Sequence, residues 1–196
     1  MSGPAASDLP KLAPPGAGLP WLELTGSRFA FGWMSRRATR EKSTALLEKE
    51  CATTLDLARP CDETAGSRRV LIPRLLGMED SSRYWSVFMT LDHLRIVHHA
   101  IAATIRSLGQ GKVPERVAST AAVKPSADAT ASVLREFDLS CAIVNRCARD
   151  LPDPVPTLRF SHPWFGPLTA AQWHFLAAIH LQLHRHQVEH ILRHLL

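Results

Sequence analysis

None of the four cysteines, Cys51, Cys61, Cys141 and Cys147, forms a CxxC pair, so a thiolate zinc site is not expected. The chain has no run of about 18 apolar residues, and no membrane-spanning helix is expected. Its start lacks the basic-then-apolar order of a secretory signal. No segment shows sustained period-two alternation. The best strand candidate, "RVLIPRLL", carries Pro73, which argues against a central strand there. The net charge of +5 is small, and its basic residues are scattered apart from Arg36, Arg37, Arg40 and Lys42. No nucleic-acid-binding module accompanies them. Together these absences predict a cytoplasmic protein with neither nucleic acid nor membrane as partner, and with Cys51, Cys141 and Cys147 as small buried thiols.

Hydrophobic content is 45% over 196 residues, enough for one globular domain with a tail. The tail is residues 1–20, which hold five of the fourteen prolines and three glycines. A segment with so few large apolar groups cannot offset its ordering entropy, and disorder is expected. Residues 21–38 read as a lead-in packing on a domain of residues 39–196.

That domain shows four helical patterns. The first runs from about Ser35 to Ala58 and stops before Pro60. The second runs from about Ser82 to Leu108, with Gly109 after its end. The third spans about Asp128 to Leu151 and stops at Pro152. The fourth follows Thr169, where "TAAQ" has the T-x-x-Q spacing of a capping box. Four helices of this length predict an all-α fold, a four-helix bundle. The first and last links, about 23 and 17 residues, are long enough to cross the bundle. That permits an up-up-down-down order, in which the first two helices run parallel and the last two likewise. The middle link is also long, about 18 residues, so length alone does not decide.

Histidine dominates the last helix, "AAIHLQLHRHQVEHILRHLL". At about 100° per residue, His180 and His184 lie about 40° apart in the centre of the apolar stripe. Arg185, Glu189 and Arg193 lie on the far side, and His186, His190 and His194 form a flanking row. On the second helix His93 is surrounded by Met89, Thr90, Ile96, Val97, Ala100 and Thr104, while Asp92, Arg95 and His99 turn away. Two imidazoles at i and i+4 and a third from a facing helix make a three-nitrogen metal site with a position left for water or substrate. Imidazole donors suit zinc, nickel, copper or iron(II). The plainer alternative is three core histidines held by hydrogen bonds. Against it, a buried imidazole without a partner costs about 1–3 kcal/mol.

"MTLDHL" and "HPWFGPLTAAQWHFLAAIHLQLHRHQ" resemble the DinB-like superfamily of metal-binding four-helix bundles, in particular a branch with an HPxFGxL segment. The resemblance covers roughly residues 40–196. It implies an up-up-down-down bundle, a homodimer, and one divalent metal ion (zinc, nickel, iron or manganese) held by His93, His180 and His184. By the same resemblance Gln187 is the catalytic candidate, orienting a water or thiol from one turn beyond His184. His162 is expected to fix its loop. No inward Asp or Glu stands beside the histidines to act as a general base. The function expected is a metal-dependent enzyme, a thiol-dependent S-transferase or isomerase or a hydrolase, acting on a small molecule or with a low-molecular-weight thiol. The alternative is a non-catalytic metal- or ligand-binding bundle.

Overall fold

The computed structural model describes residues 10–195, and side-chain caps start α2, α4 and α6. In chain order they are α1 (Trp21–Ser35), α2 (Arg40–Ala58), the short α3 (Glu63–Ser67), α4 (Val87–Gly109), α5 (Val133–Arg149) and α6 (Ala170–Arg193). Two small antiparallel ribbons join them. Strand β1 (Val70–Leu71) pairs with β2 (Tyr84–Trp85), and β3 (Phe160–His162) with β4 (Gly166–Leu168). The chain is therefore a mostly helical four-helix bundle, with α2, α4, α5 and α6 as its rods. "RVLIPRLL" contributes a two-residue strand that ends before Pro73.

The expected first helix starts at Arg40 rather than about Ser35, and a separate helix, α1, occupies most of the lead-in before it. Ser35 closes α1, and Thr39 takes an extended backbone and accepts a bond from the Lys42 amide, which starts α2 anew. The expected third helix begins five residues late. Asp128 N–H donates to Ser126 Oγ in the stretch before it, a local bond that competes with helix. The tail departs further. Residues 1–9 lie outside the described residues, but Ala13 N–H donates to Asp80 at 2.7 Å and Gly16 N–H to Glu79 at 3.2 Å. Two carboxylates give residues 13–16 the partners that their composition does not advertise.

The four rods form a square in the order α2, α5, α4, α6. Residue pairs fix their directions. Glu48 meets Asn145 and Cys51 meets Asp138, so α2 and α5 are antiparallel. His98 meets Ser140 and Arg106 meets Cys147, so α4 and α5 are parallel. Ser82, just before α4, meets Gln187 and His93 meets His180, so α4 and α6 are antiparallel. Gln172 meets Ser35 and Gln182 meets Glu50, so α2 and α6 are parallel. The order is up, down, down, up rather than the expected up-up-down-down. The first and last links spend their length on α3 and the two ribbons, at one end of the square each. The middle link, residues 110–132, makes the lengthwise crossing.

The core between the rods includes Leu47, Phe88, Leu91, Leu94, Ile105, Leu108, Phe137, Val144, Leu181 and Ile191. Helix α1 packs outside the square: Phe31 stacks on Phe165 at 4.5 Å, and Glu23 pairs with Arg74 and the Gly77 amide. Between α2 and α6 the Glu50 carboxylate, 2% exposed, pairs with Arg185 and accepts from Gln182 at 3.3 Å. Arg185 does lie away from the histidine stripe, and α2 occupies that side. Removing one partner of a buried ion pair strands the other charge. Glu50→Ala should therefore lower unfolding free energy by about 3 kcal/mol in urea titrations. A loss below about 1 kcal/mol would mean that the pair is solvated.

Candidate metal centre

Two capped helices deliver the three rings. Ser86 Oγ accepts the Met89 amide at 3.1 Å and starts α4, which sets His93 two turns into the bundle. Thr169 and Gln172 form the reciprocal capping box that starts α6, with bonds of 3.0 and 3.3 Å. From there His180 and His184 stand one above the other, facing α4. One ring nitrogen from each of His93, His180 and His184 lies within 4.8 Å of the others. His93 Nε2 and His180 Nε2 are 3.3 Å apart. Ring centroids are separated by 4.5 Å for His180 and His184, 4.6 Å for His93 and His184, and 5.2 Å for His93 and His180. Two nitrogens bound tetrahedrally at about 2.0–2.1 Å from one cation sit about 3.3 Å apart, the separation seen between His93 and His180.

Hydrogen bonds set the tautomers of two rings. His93 Nδ1 lies 2.6 Å from the Val123 carbonyl, which can only accept, so His93 carries its proton on Nδ1. His184 Nδ1 lies 2.6 Å from Gln187 Oε1. The Gln187 amide cannot be reversed, because its Nε2 donates to the Ser82 carbonyl at 2.7 Å. His184 therefore also carries its proton on Nδ1. Both Nε2 atoms then present lone pairs to the same small volume. Without a cation, His180 Nε2–H can donate to His93 Nε2 at 3.3 Å, whereas a shared cation would take the lone pairs of all three rings at once.

Burial holds all three imidazoles neutral. It pushes His93 and His180 well below the usual histidine range, helped by neighbouring histidine charge, and His184 down to about 4. Neutral rings are the form that binds metal. His93 and His184 are buried, and His180 keeps part of its surface open. Trp85 walls the site, its ring 5.0 Å from His93 and stacked 6.0 Å from His184. Lys124 lies over the outer face of Trp85 and bonds Glu79, Ser81 and Ser82. The 110–132 crossing thus covers the site and also supplies the Val123 carbonyl.

The remaining candidates are placed as follows. Both ends of the Gln187 amide are engaged, one with His184 and one with the Ser82 carbonyl, so its geometry is that of a ring holder. Asp92 turns to Arg95 and to the Ser126 amide, away from the three rings. His162 Nδ1 accepts the amides of Trp164 and Phe165 and fixes its loop. His186 and His194 lie on the surface and His190 is half-buried. No carboxylate joins the three histidines among the described residues. Sequence reasoning did not single out Trp85, Val123 or Ser82. The last two act through backbone carbonyls, which leave no side-chain signal. Trp85 did leave one, as a large aromatic immediately before the Ser86 cap.

No family model and no curated protein matches the chain. Among solved structures it is similar to TT2238, described as a four-helix bundle protein, with 22% identity and a TM-score of 0.55 over 77% of this chain and 98% of that one. The likeness is one of fold. Among the described residues no helix is long and apolar enough to cross a membrane.

Several buried histidines make the fold acid-sensitive. His98 is pushed down to about 3 by burial, and His174 and His184 to about 4. As pH falls below about 6.5 the unfolded chain takes up protons that the folded chain refuses. Stability is thus fully present above about pH 6.5 and declines toward pH 4, by up to about 1.4 kcal/mol per unit for each such histidine. Urea titrations of metal-free protein from pH 7.5 to 4 should show this slope. A flat profile would mean that these rings protonate freely in the folded state.

Proposed function

We propose that the chain is a divalent-metal-dependent enzyme of the DinB-like kind, with His93, His180 and His184 as metal ligands. The observation that carries this reading is the pair of fixed tautomers, which leaves Nε2 of His93 and His184 with free lone pairs in a cluster where one nitrogen of each of the three rings lies within 4.8 Å of the others. The DinB-like resemblance selects the same three residues. A zinc, nickel, iron or manganese ion held there would supply a Lewis acid able to polarise a carbonyl or activate a thiol.

The chain's own residues do the rest. The Val123 carbonyl keeps His93 turned inward. Gln187 does the same for His184 and is a positioning residue, in place of the expected role beside a water or thiol. Trp85 and the crossing exclude bulk water on one side, and the exposed part of His180 marks the open side. A small molecule or low-molecular-weight thiol entering there would meet three neutral donors and no carboxylate. That donor set suits thiol-dependent S-transfer or isomerisation, or hydrolysis. The missing acid–base group also favours a second reading, a bundle that binds metal or a small ligand without turnover. A homodimer in the cytoplasm completes the proposal. Trp21, Leu22, Phe29 and Trp33 leave an apolar face on α1 exposed, as an intersubunit helix would.

Elemental analysis of protein made without a histidine tag should find about one ion per chain. His93→Ala and His184→Ala should each abolish it, and Gln187→Leu should weaken binding about 10–100-fold. Retention of the ion by both histidine variants would overturn the ligand assignment. A metal-dependent rate in a screen of thiol conjugation and ester or amide hydrolysis separates the enzyme from the non-catalytic reading.

A further inference from the structure

The segment before α1 is tied to the carboxylate that anchors the cover of the histidine cluster. Ala13 N–H donates to Asp80 Oδ2 at 2.7 Å, and Gly16 N–H donates to Glu79 Oε2 at 3.2 Å. The 110–132 crossing reaches the same place. Thr120 Oγ1 donates to Glu79 Oε1 at 2.9 Å, and Lys124 Nζ to Glu79 Oε2 at 3.0 Å. One carboxylate thus joins two stretches of chain that are far apart in sequence. They also meet directly, since a Cβ built on Gly16 would stand 3.5 Å from the Ala121 Cβ.

Residues 10–18 are built for reversible docking. Leu12 is their one large apolar side chain and is half-buried, while Pro14, Pro15, Gly16 and Ala17 are exposed. So little burial does not hold a flexible segment against its ordering entropy. Pro10, Pro14 and Pro15 reduce that entropy cost, because they restrict the undocked chain. Gly16 supplies the turn with a φ of +86°, which side chains with a Cβ rarely adopt. A segment held by two amide bonds and little apolar contact sits at the low end of local stability, where it opens without the rest of the fold.

Glu79 is where the departure of this segment would be felt. Gly16 is exposed, and the carboxylate that it touches is 5% exposed. Lifting the segment removes one donor and admits water to Glu79. Water weakens the pair with Lys124 by raising the local dielectric. Thr120 and Lys124 flank Val123, whose carbonyl holds His93 at 2.6 Å. We infer that residues 10–18 are a detachable strap that latches the 110–132 crossing shut over the histidine cluster through Glu79 and Asp80. With the strap docked, His93 is held inward and the cluster is covered. With the strap released, the crossing is free to lift and the cluster opens on the side of Trp85. Control of entry to a metal centre rests on the proposed metal reading; the link from strap to crossing does not.

The test compares full-length wild type with two strap variants. Ala13→Pro removes the amide that Asp80 accepts, and Gly16→Val puts a branched side chain at the +86° turn. In metal-free protein, hydrogen exchange is followed by NMR at His93 Nδ1–H and at the Ser126 amide, which ties the crossing to Asp92 at 2.8 Å. Both variants should exchange about tenfold faster at these two positions, with helical circular dichroism unchanged. Lys11→Ala, at an exposed strap position, should match wild type. In zinc-loaded protein, release to a chelator should also be about tenfold faster in the two strap variants. Wild-type exchange rates in both variants overturn the strap, whatever the metal does. Faster exchange with unchanged zinc release overturns the control of entry. A wild-type protein that takes up no zinc, nickel, iron or manganese overturns the metal reading, and the exchange rates then decide the strap by themselves.

Discussion

Two short hydrogen bonds, His93 Nδ1–H to the Val123 carbonyl and His184 Nδ1–H to Gln187, govern how the centre behaves. Three neutral imidazoles could satisfy one another in a ring of donors and acceptors. Fixing the protons of two of them on the outer nitrogens forbids that solution. It turns a set of core histidines into inward-facing donors with a shared deficit, and the deficit is what a cation meets. Each holder is itself held. Gln187 is locked by the Ser82 carbonyl, and Val123 sits on a crossing pinned by Lys124 to Glu79, Ser81 and Ser82. Both holders are thereby fixed in orientation.

The bundle's topology serves this constraint. In an up-down-down-up square the link between α4 and α5 has to travel the length of the bundle, and it travels over the face where the histidines meet. Shorter links would leave His93 without its carbonyl and Trp85 without the lysine above it. On the opposite side, Glu50 and Arg185 hold α2 and α6 in register, so His180 and His184 keep their depth relative to α4. A buried ion pair adds little net stability, but it penalises a slipped register heavily.

Much of this was legible in the sequence, and the part that was not has a physical reason. Helical periodicity placed the four rods and put His93, His180 and His184 on inward faces, because side-chain direction follows from the 3.6-residue turn. The Thr169–Gln172 capping box could be read from spacing alone, for the same reason. Helix direction could not be read, because link length only permits a crossing and the outer links used theirs on α3 and the ribbons. The holders of the rings were half-visible. Gln187 was marked by the family resemblance, one turn beyond His184. The carbonyls of Val123 and Ser82 were not, because a backbone acceptor is the same in every residue. The start of the first helix was placed early because its apolar positions begin only at Leu46 and leave the stretch from Ser35 to Thr39 unmarked.

Coupling between site and fold follows from where the holders sit. His93 faces inward only when Val123 is in place, and Val123 is in place only when the 110–132 crossing is docked on Glu79 and Asp92. On the proposed reading, an ion that needs the inward-facing ring would favour the docked crossing. Any ligand selective for one state stabilises that state by mass action. On the proposed metal reading, ion binding and docking of the crossing would be coupled through His93. The crossing also packs Lys124 over Trp85, so the same segment that supplies the Val123 carbonyl covers the wall of the histidine cluster.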